Sequence, residues 1–130
     1  MSVYPGGDEG TPIPFLKVYG DLVVAPAPTV WVGDDVYLYV EVINMGTAPS
    51  HLGDTLTGFL SFERTVFHQE SVDIPPIEPD GGMWKHVFTF DGRFVMVPGE
   101  WEMSAMITNV GTIGEVQDDQ RAQFTVFARE

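Results

Sequence analysis

The chain of 130 residues has no cysteine, so no disulfide framework supports it and its compartment cannot be read from thiol chemistry. Positive charge is scarce. Six lysines and arginines, of which only Lys17 and Lys85 are lysines, stand against 19 aspartates and glutamates, a formal net charge of −13. Such a surface repels phosphate backbones and anionic headgroups, which disfavours nucleic acid and membrane surfaces as partners. It keeps a protein soluble at high concentration or high salt, and it can equally pair with a basic partner. No run of about 18 apolar residues is present to span a bilayer, and Met1 to Gly7 lack the basic and apolar regions of a secretory signal. With Met1 as the native start the expected location is the cytoplasm or a virion; as a module excised from a longer chain it is the cell surface.

Helical periodicity is missing as well: no segment of ten or more residues repeats its apolar positions as a helix would. Alternation takes its place. Between the turn signals Gly33-Asp34-Asp35 and Asn44-Met45-Gly46-Thr47, Val36, Leu38, Val40 and Val42 recur every second residue, which predicts a central strand with one buried face. Residues 21–26 read as a first strand, stopped early by Pro26 and Pro28. Leu56, Gly58, Leu60 and Phe62 alternate in a third, and residues 65–74 in a more polar edge strand. The run Pro75-Pro76-Ile77-Glu78-Pro79-Asp80-Gly81-Gly82 must be a connector, and there the chain is expected to cross to the other sheet. Trp84, His86, Phe88 and Phe90 then share one face, followed by Trp101, Met103, Ala105 and Ile107 after a turn at Pro98-Gly99. Ala122, Phe124 and Val126 mark the last strand.

About seven short strands at intervals of roughly 8–12 residues predict an all-β fold, an immunoglobulin-like Greek-key β-sandwich. The length suits one domain. The sandwich is expected over residues 20–130. Residues 1–19, with Pro5, Pro12, Pro14, Gly6, Gly7 and Gly10, are expected to form an extended N-terminal arm lying along a surface or reaching a neighbour.

Six motifs in order carry a family resemblance: Asp21-Leu22-Val23-Val24, Gly33-Asp34-Asp35-Val36, Val42-Ile43-Asn44-Met45-Gly46-Thr47-Ala48, Ile74-Pro75-Pro76-Ile77-Glu78-Pro79-Asp80-Gly81, Pro98-Gly99-Glu100-Trp101 and Ile113-Gly114-Glu115. Over roughly residues 20–128 the chain resembles the CARDB type of immunoglobulin-like domain. Two departures stand out. Gln117, Asp118, Asp119 and Gln120 lie where that family has paired asparagines, and residues 50–73 are longer and more aromatic than its pattern. The resemblance implies an adhesion or assembly module without chemistry of its own, often appended to surface proteins.

The residues themselves offer no catalytic constellation. Ser50, Ser61, Ser71 and Ser104 stand in no Gly-x-Ser-x-Gly elbow, and Glu100 and Glu102 share a strand face only with each other. Of the three histidines, only His68 has a polar companion on its face, Glu70, and no second pair at ligand spacing completes a metal site. The acidic turns Asp34-Asp35, Asp80 and Asp118-Asp119 match no calcium-loop spacing and read as solvated loop acids. No cofactor, metal or catalytic residue is therefore assigned, and no enzyme activity is expected. What remains is aromatic. Tyr37, Tyr39 and Phe59 fall opposite the core residues of their strands and are expected to form an apolar patch on one sheet, with Phe15, Leu16 and Tyr19 of the arm as further interface residues. The expected partners are protein subunits, in a homo-oligomer or a larger assembly such as a virion or tail decoration component or a surface adhesin. The alternative is a carbohydrate-binding module that stacks a glycan on Trp31, Tyr37 or Tyr39.

Overall fold

The computed structural model describes residues 13–26, 29–109 and 115–128. Among them nine strands form: β1 (Leu16–Val18), β2 (Val23–Ala25), β3 (Val30–Trp31), β4 (Val36–Asn44), β5 (Thr55–Phe62), β6 (Thr65–Asp73), β7 (Gly82–Phe90), β8 (Gly99–Asn109) and β9 (Glu115–Phe127). A single 3-10 turn, Gly92–Phe94, is the only helical element among these residues.

The alternation in β4 does what it predicts: Val36, Leu38, Val40 and Val42 are buried, and the strand is central. One side of β4 pairs antiparallel with β7 along its whole length. The other side is shared, β2 lying against Tyr37 to Tyr39 and β1 against Val42 to Asn44. The second sheet has the order β3-β9-β8-β5-β6, antiparallel except for the short parallel pair β3 and β9. The chain crosses between sheets at the proline-rich connector, as expected, because β6 closes the five-stranded sheet and β7 belongs to the four-stranded one.

The core fills the space between the two inner faces. Leu38, Val40, Phe88 and Phe90 from one sheet meet Leu56, Leu60, Trp101, Met103 and Ile107 from the other. Gly58 takes a core position in β5 because a Cβ there would lie 2.7 Å from the ring of Phe88; that missing side chain is the space Phe88 occupies. The connector also closes one end of the core, with Ile74 and Ile77 buried and Ser50 Oγ accepting from the Ile77 N–H at 2.8 Å.

This is the immunoglobulin-like sandwich that the sequence predicts, with two corrections. Strands of two and three residues raise the count from about seven to nine, since so short a segment shows too few alternations to register. Of the expected arm over residues 1–19, residues 1–12 lie outside the described residues, as do Ile113 and Gly114. From residue 13 the chain belongs to the sandwich. Leu16 and Val18 enter the core, Phe15 O accepts from Met45 N at 2.8 Å, and Ile13 O accepts from Thr47 N at 2.7 Å.

Candidate protein-interaction face

The outer face of the four-stranded sheet follows from strand register. With Leu38, Val40 and Val42 turned inward, Tyr37, Tyr39, Glu41 and Ile43 must point outward. Their cross-strand partners do the same. Tyr37 stands between Ala25 and Thr89, Tyr39 between Val23 and Val87, and Ile43 between Lys17 and Met83. Glu41 stands between Lys85 and Tyr19, whose N–H donates to the Glu41 carbonyl at 2.8 Å. Met45, whose N–H bonds Phe15 O, adds a fifth row with Phe15.

Seven of the fifteen exposed large apolar residues in the described chain fall in these five rows: Phe15, Tyr19, Val23, Tyr39, Met45, Met83 and Val87. They share one face, which is broken by the ion pair Lys85 Nζ to Glu41 Oε2 at 3.3 Å and by exposed Lys17 beside Ile43. Scattered exposed apolar residues need no explanation, but many gathered on one face are the mark of an interaction surface.

Of the six residues expected at an interface, Tyr37, Tyr39, Phe15 and Tyr19 lie on or beside this face. Leu16 does not, being fully buried in the core. Phe59 is on the outer face of β5 in the five-stranded sheet, on the opposite side of the sandwich from Tyr39. Alternation tells which residues of a strand share a face, not which sheet that strand joins. Of the four residues that sequence reasoning missed, Val23, Met83 and Val87 carry the same signal, each alternating with an inward residue, Val24, Trp84 or Phe88, whereas Met45 lies just past the end of β4.

The opposite outer face holds a shallow depression of about 290 Å³ near the β5–β6 turn, lined by Ser61, Arg64, Glu102, Arg121 and Gln123 among others. Arg121 is engaged there by Glu102 and Asp119, each at 3.8 Å, and the Trp101 ring in its wall is buried, with its indole N–H donating to Val97 O at 2.8 Å. The depression offers charge without an aromatic platform for a sugar ring.

The histidines and acids have local duties. His68 stacks on Phe94 at 4.3 Å and lies 3.3 Å from Glu70. His86 packs between Trp84 at 5.6 Å and Phe88 at 4.6 Å; burial pushes its pKa below the ordinary value, while the negative charge of Glu70 works the other way. Asp34 Oδ2 accepts from Trp31 N at 2.9 Å and Asp35 Oδ1 from Gly92 N at 2.7 Å, so these acids tie turns together. Asp118 and Asp119 are strand residues of β9 rather than loop acids, and Asp118 Oδ2 accepts from Val18 N at 2.7 Å, joining the two sheets. Among the described residues no three His, Asp or Glu side chains are grouped to hold a metal ion.

No protein-family model and no curated protein matches the sequence. Solved structures do. The chain is similar to the CARDB domain of a Pyrococcus furiosus protein in complex with di-metal ions, at 12% identity and a TM-score of 0.58 over 91% of this chain and 96% of that one. It is similar to the C-terminal domain of wzt at 10% identity and a TM-score of 0.61, over 90% of this chain and 80% of that one. A β-glucosidase from Listeria innocua in complex with glucose matches at 11% identity and a TM-score of 0.52, over 88% of this chain but 16% of the enzyme. The sandwich thus has the CARDB fold that the ordered motifs resemble, and at these identities the likeness is one of fold.

Proposed function

We propose that this chain is a non-catalytic module that binds protein subunits through the outer face of its four-stranded sheet. The observation that carries the reading is the set of five rows across β1, β2, β4 and β7, where almost half of the exposed large apolar residues among those described gather on one face. Removing the apolar part of such a surface from water supplies about 25 cal/mol per Å² toward association. The likeness to a CARDB domain supports an appended module rather than an enzyme. A decoration component of a particle and a surface adhesin would both use such a face.

The test is photo-cross-linking in the source cells. With benzoylphenylalanine in place of Tyr39, illumination should give a protein adduct, and with the same group in place of Phe59 it should not. No adduct at position 39, or equal adducts at both, overturns the reading. A glycan array gives the competing outcome: binding that Tyr39→Ala abolishes would assign the same face to sugar stacking instead.

A further inference from the structure

We infer that the outer face of the five-stranded sheet carries a binding site for an uncharged oligosaccharide, with Trp31 and Phe127 as its stacking platform and the groups around Arg121 as its polar end. The inference goes beyond the reading above and stands on different residues, on the other side of the sandwich.

Strand register builds the face. Val30 and Val126 are buried and paired, so Trp31 and Phe127, the pair that follows them, turn outward, with exposures of 39% and 43% and ring centroids 5.9 Å apart. Back along β9 by twos, the outward residues are Thr125, Gln123 and Arg121, paired in β8 with Glu100, Glu102 and Ser104. An aromatic pair thus opens a row of hydroxyl, amide, carboxylate and guanidinium groups. Gln123 is four residues from Phe127, about 13 Å along β9, a separation that a sugar chain of a few residues spans. The depression near the β5–β6 turn has no platform of its own; the pair further along the same strand supplies one.

The relief fits a chain of rings. The depression of about 290 Å³ adjoins a second of about 330 Å³, and Ser61, Arg64, Glu102 and Arg121 line both, so the two make one trough across β5, β8 and β9. Arg64 reaches this trough from a turn where its φ of 67° strains any side chain. A residue held against such strain points to a use for its side chain.

Chemistry selects the ligand class. Arg121 stands 3.8 Å from both Glu102 and Asp119, too far for hydrogen bonds, so these groups offset one another's charge while their donors and acceptors stay open. Sugar hydroxyls, which both donate and accept, match that mixture. A sugar ring also sets an apolar C–H face against aromatic side chains while its hydroxyl edge meets polar ones. A phosphate or carboxylate ligand would meet Glu63, Glu100 and Glu102 in the walls of a molecule of net charge −13, whereas an uncharged sugar escapes that repulsion. A protein partner would find little apolar area here. Of the fifteen exposed large apolar residues among those described, Trp31, Phe127 and Val66 fall in the outward rows of this sheet, against seven on the other.

The test is an array of uncharged oligosaccharides of glucose, galactose, mannose and N-acetylglucosamine, followed by titration of each bound sugar, to about 10 mM, against the tryptophan fluorescence of the full chain. The expected result is binding to at least one series with a change in emission, weakened about tenfold or more by Trp31→Ala and by Gln123→Ala. Phe127→Leu gives a second variant at the platform, Tyr39→Ala on the other sheet leaves binding unchanged, and circular dichroism confirms that each variant is folded. No binding on the array overturns the site. So does binding that folded Trp31→Ala and Phe127→Leu proteins retain at full strength, or that Tyr39→Ala abolishes. Cross-linking at position 39 reads the docking face separately. An adduct there without sugar binding overturns this site alone, and sugar binding without an adduct overturns the docking face alone.

Discussion

At position 44 a carboxamide is fully buried, and all of its capacity goes to main chain. Asn44 Oδ1 accepts from Phe15 N at 3.1 Å and Gly46 N at 2.9 Å, while Nδ2 donates to Ala48 O at 2.9 Å and Ile77 O at 2.8 Å. One side chain thus ties the entry to β1, the turn after β4 and the proline-rich connector. Gly46 is part of the same join, since a Cβ there would lie 2.2 Å from Ile13 O. Replacing Asn44 by Ala orphans several buried main-chain groups, each costing about 1–3 kcal/mol, so Asn44→Ala should lower unfolding stability by about 3–5 kcal/mol, read as a fall in the urea midpoint. His86 gives a prediction of opposite character. Burial depresses its pKa, so the folded state favours the neutral ring and the unfolded state binds the proton first as pH falls. Its contribution is present above the unfolded value, about 6.5, and is lost as pH drops through the lower folded value. Melts from about pH 7.5 to about 5 should therefore show His86→Phe losing less stability than wild type. An equal loss in both would show that protonation of His86 is not linked to unfolding.

The hairpin joining β5 and β6 shows how an element can keep a locally unfavourable sequence. Glu63 at φ 50° and Arg64 at φ 67° both occupy the left-handed region that two-residue hairpin turns require and that Asn-Gly fits best. The strain is about 1–2 kcal/mol per residue, and glycine's extra freedom in the unfolded chain returns about 1 kcal/mol of it. The double change Glu63→Asn with Arg64→Gly should thus stabilise the protein by about 1 kcal/mol, a rise of a few degrees in a thermal melt. β1 is the opposite case, favourable in context and nearly silent in sequence. Leu16 and Val18 offer two alternating apolar residues after prolines and glycines, too few to reveal a strand, yet they bury completely against β4. Deleting residues 1–19 removes both, at about 1.5–3 kcal/mol each, from a domain whose total stability is typically 5–15 kcal/mol. The truncated protein should show a urea midpoint well below that of the full chain; an unchanged midpoint would mean that β1 contributes nothing to the core. The long strands were legible for the converse reason. In β4, β5 and β8 every second residue meets the core, so burial writes a period of two into the sequence. The first half of β9 carries Asp118, Asp119 and Arg121 because its contacts are hydrogen bonds and ion pairs, and polarity there hides a strand. The apolar face was half visible: Tyr37 and Tyr39 declare themselves, whereas the side that Phe59 occupies is set by long-range pairing with β6 and β8.

For the whole molecule the governing quantity is charge. Exposed ion pairs such as Lys85 with Glu41, Arg93 with Asp91 and Arg121 with Glu102 contribute at most about 0.5–1 kcal/mol apiece, so their screening costs the fold little. Against this stands the self-repulsion of a compact body with formal charge −13, felt across the molecule when the Debye length is about 30 Å at 0.01 M salt and mostly screened when it is about 3 Å at 1 M. Unfolding relieves that repulsion by spreading the charges apart, so low salt favours the open chain. The two effects have opposite signs, and the excess of 19 acids over 6 bases makes the repulsive one larger. Thermal melts in sodium chloride from about 0.01 to about 0.5 M should therefore shift upward by several degrees. A melting temperature that falls with salt would show that the scattered ion pairs, not the net charge, control stability.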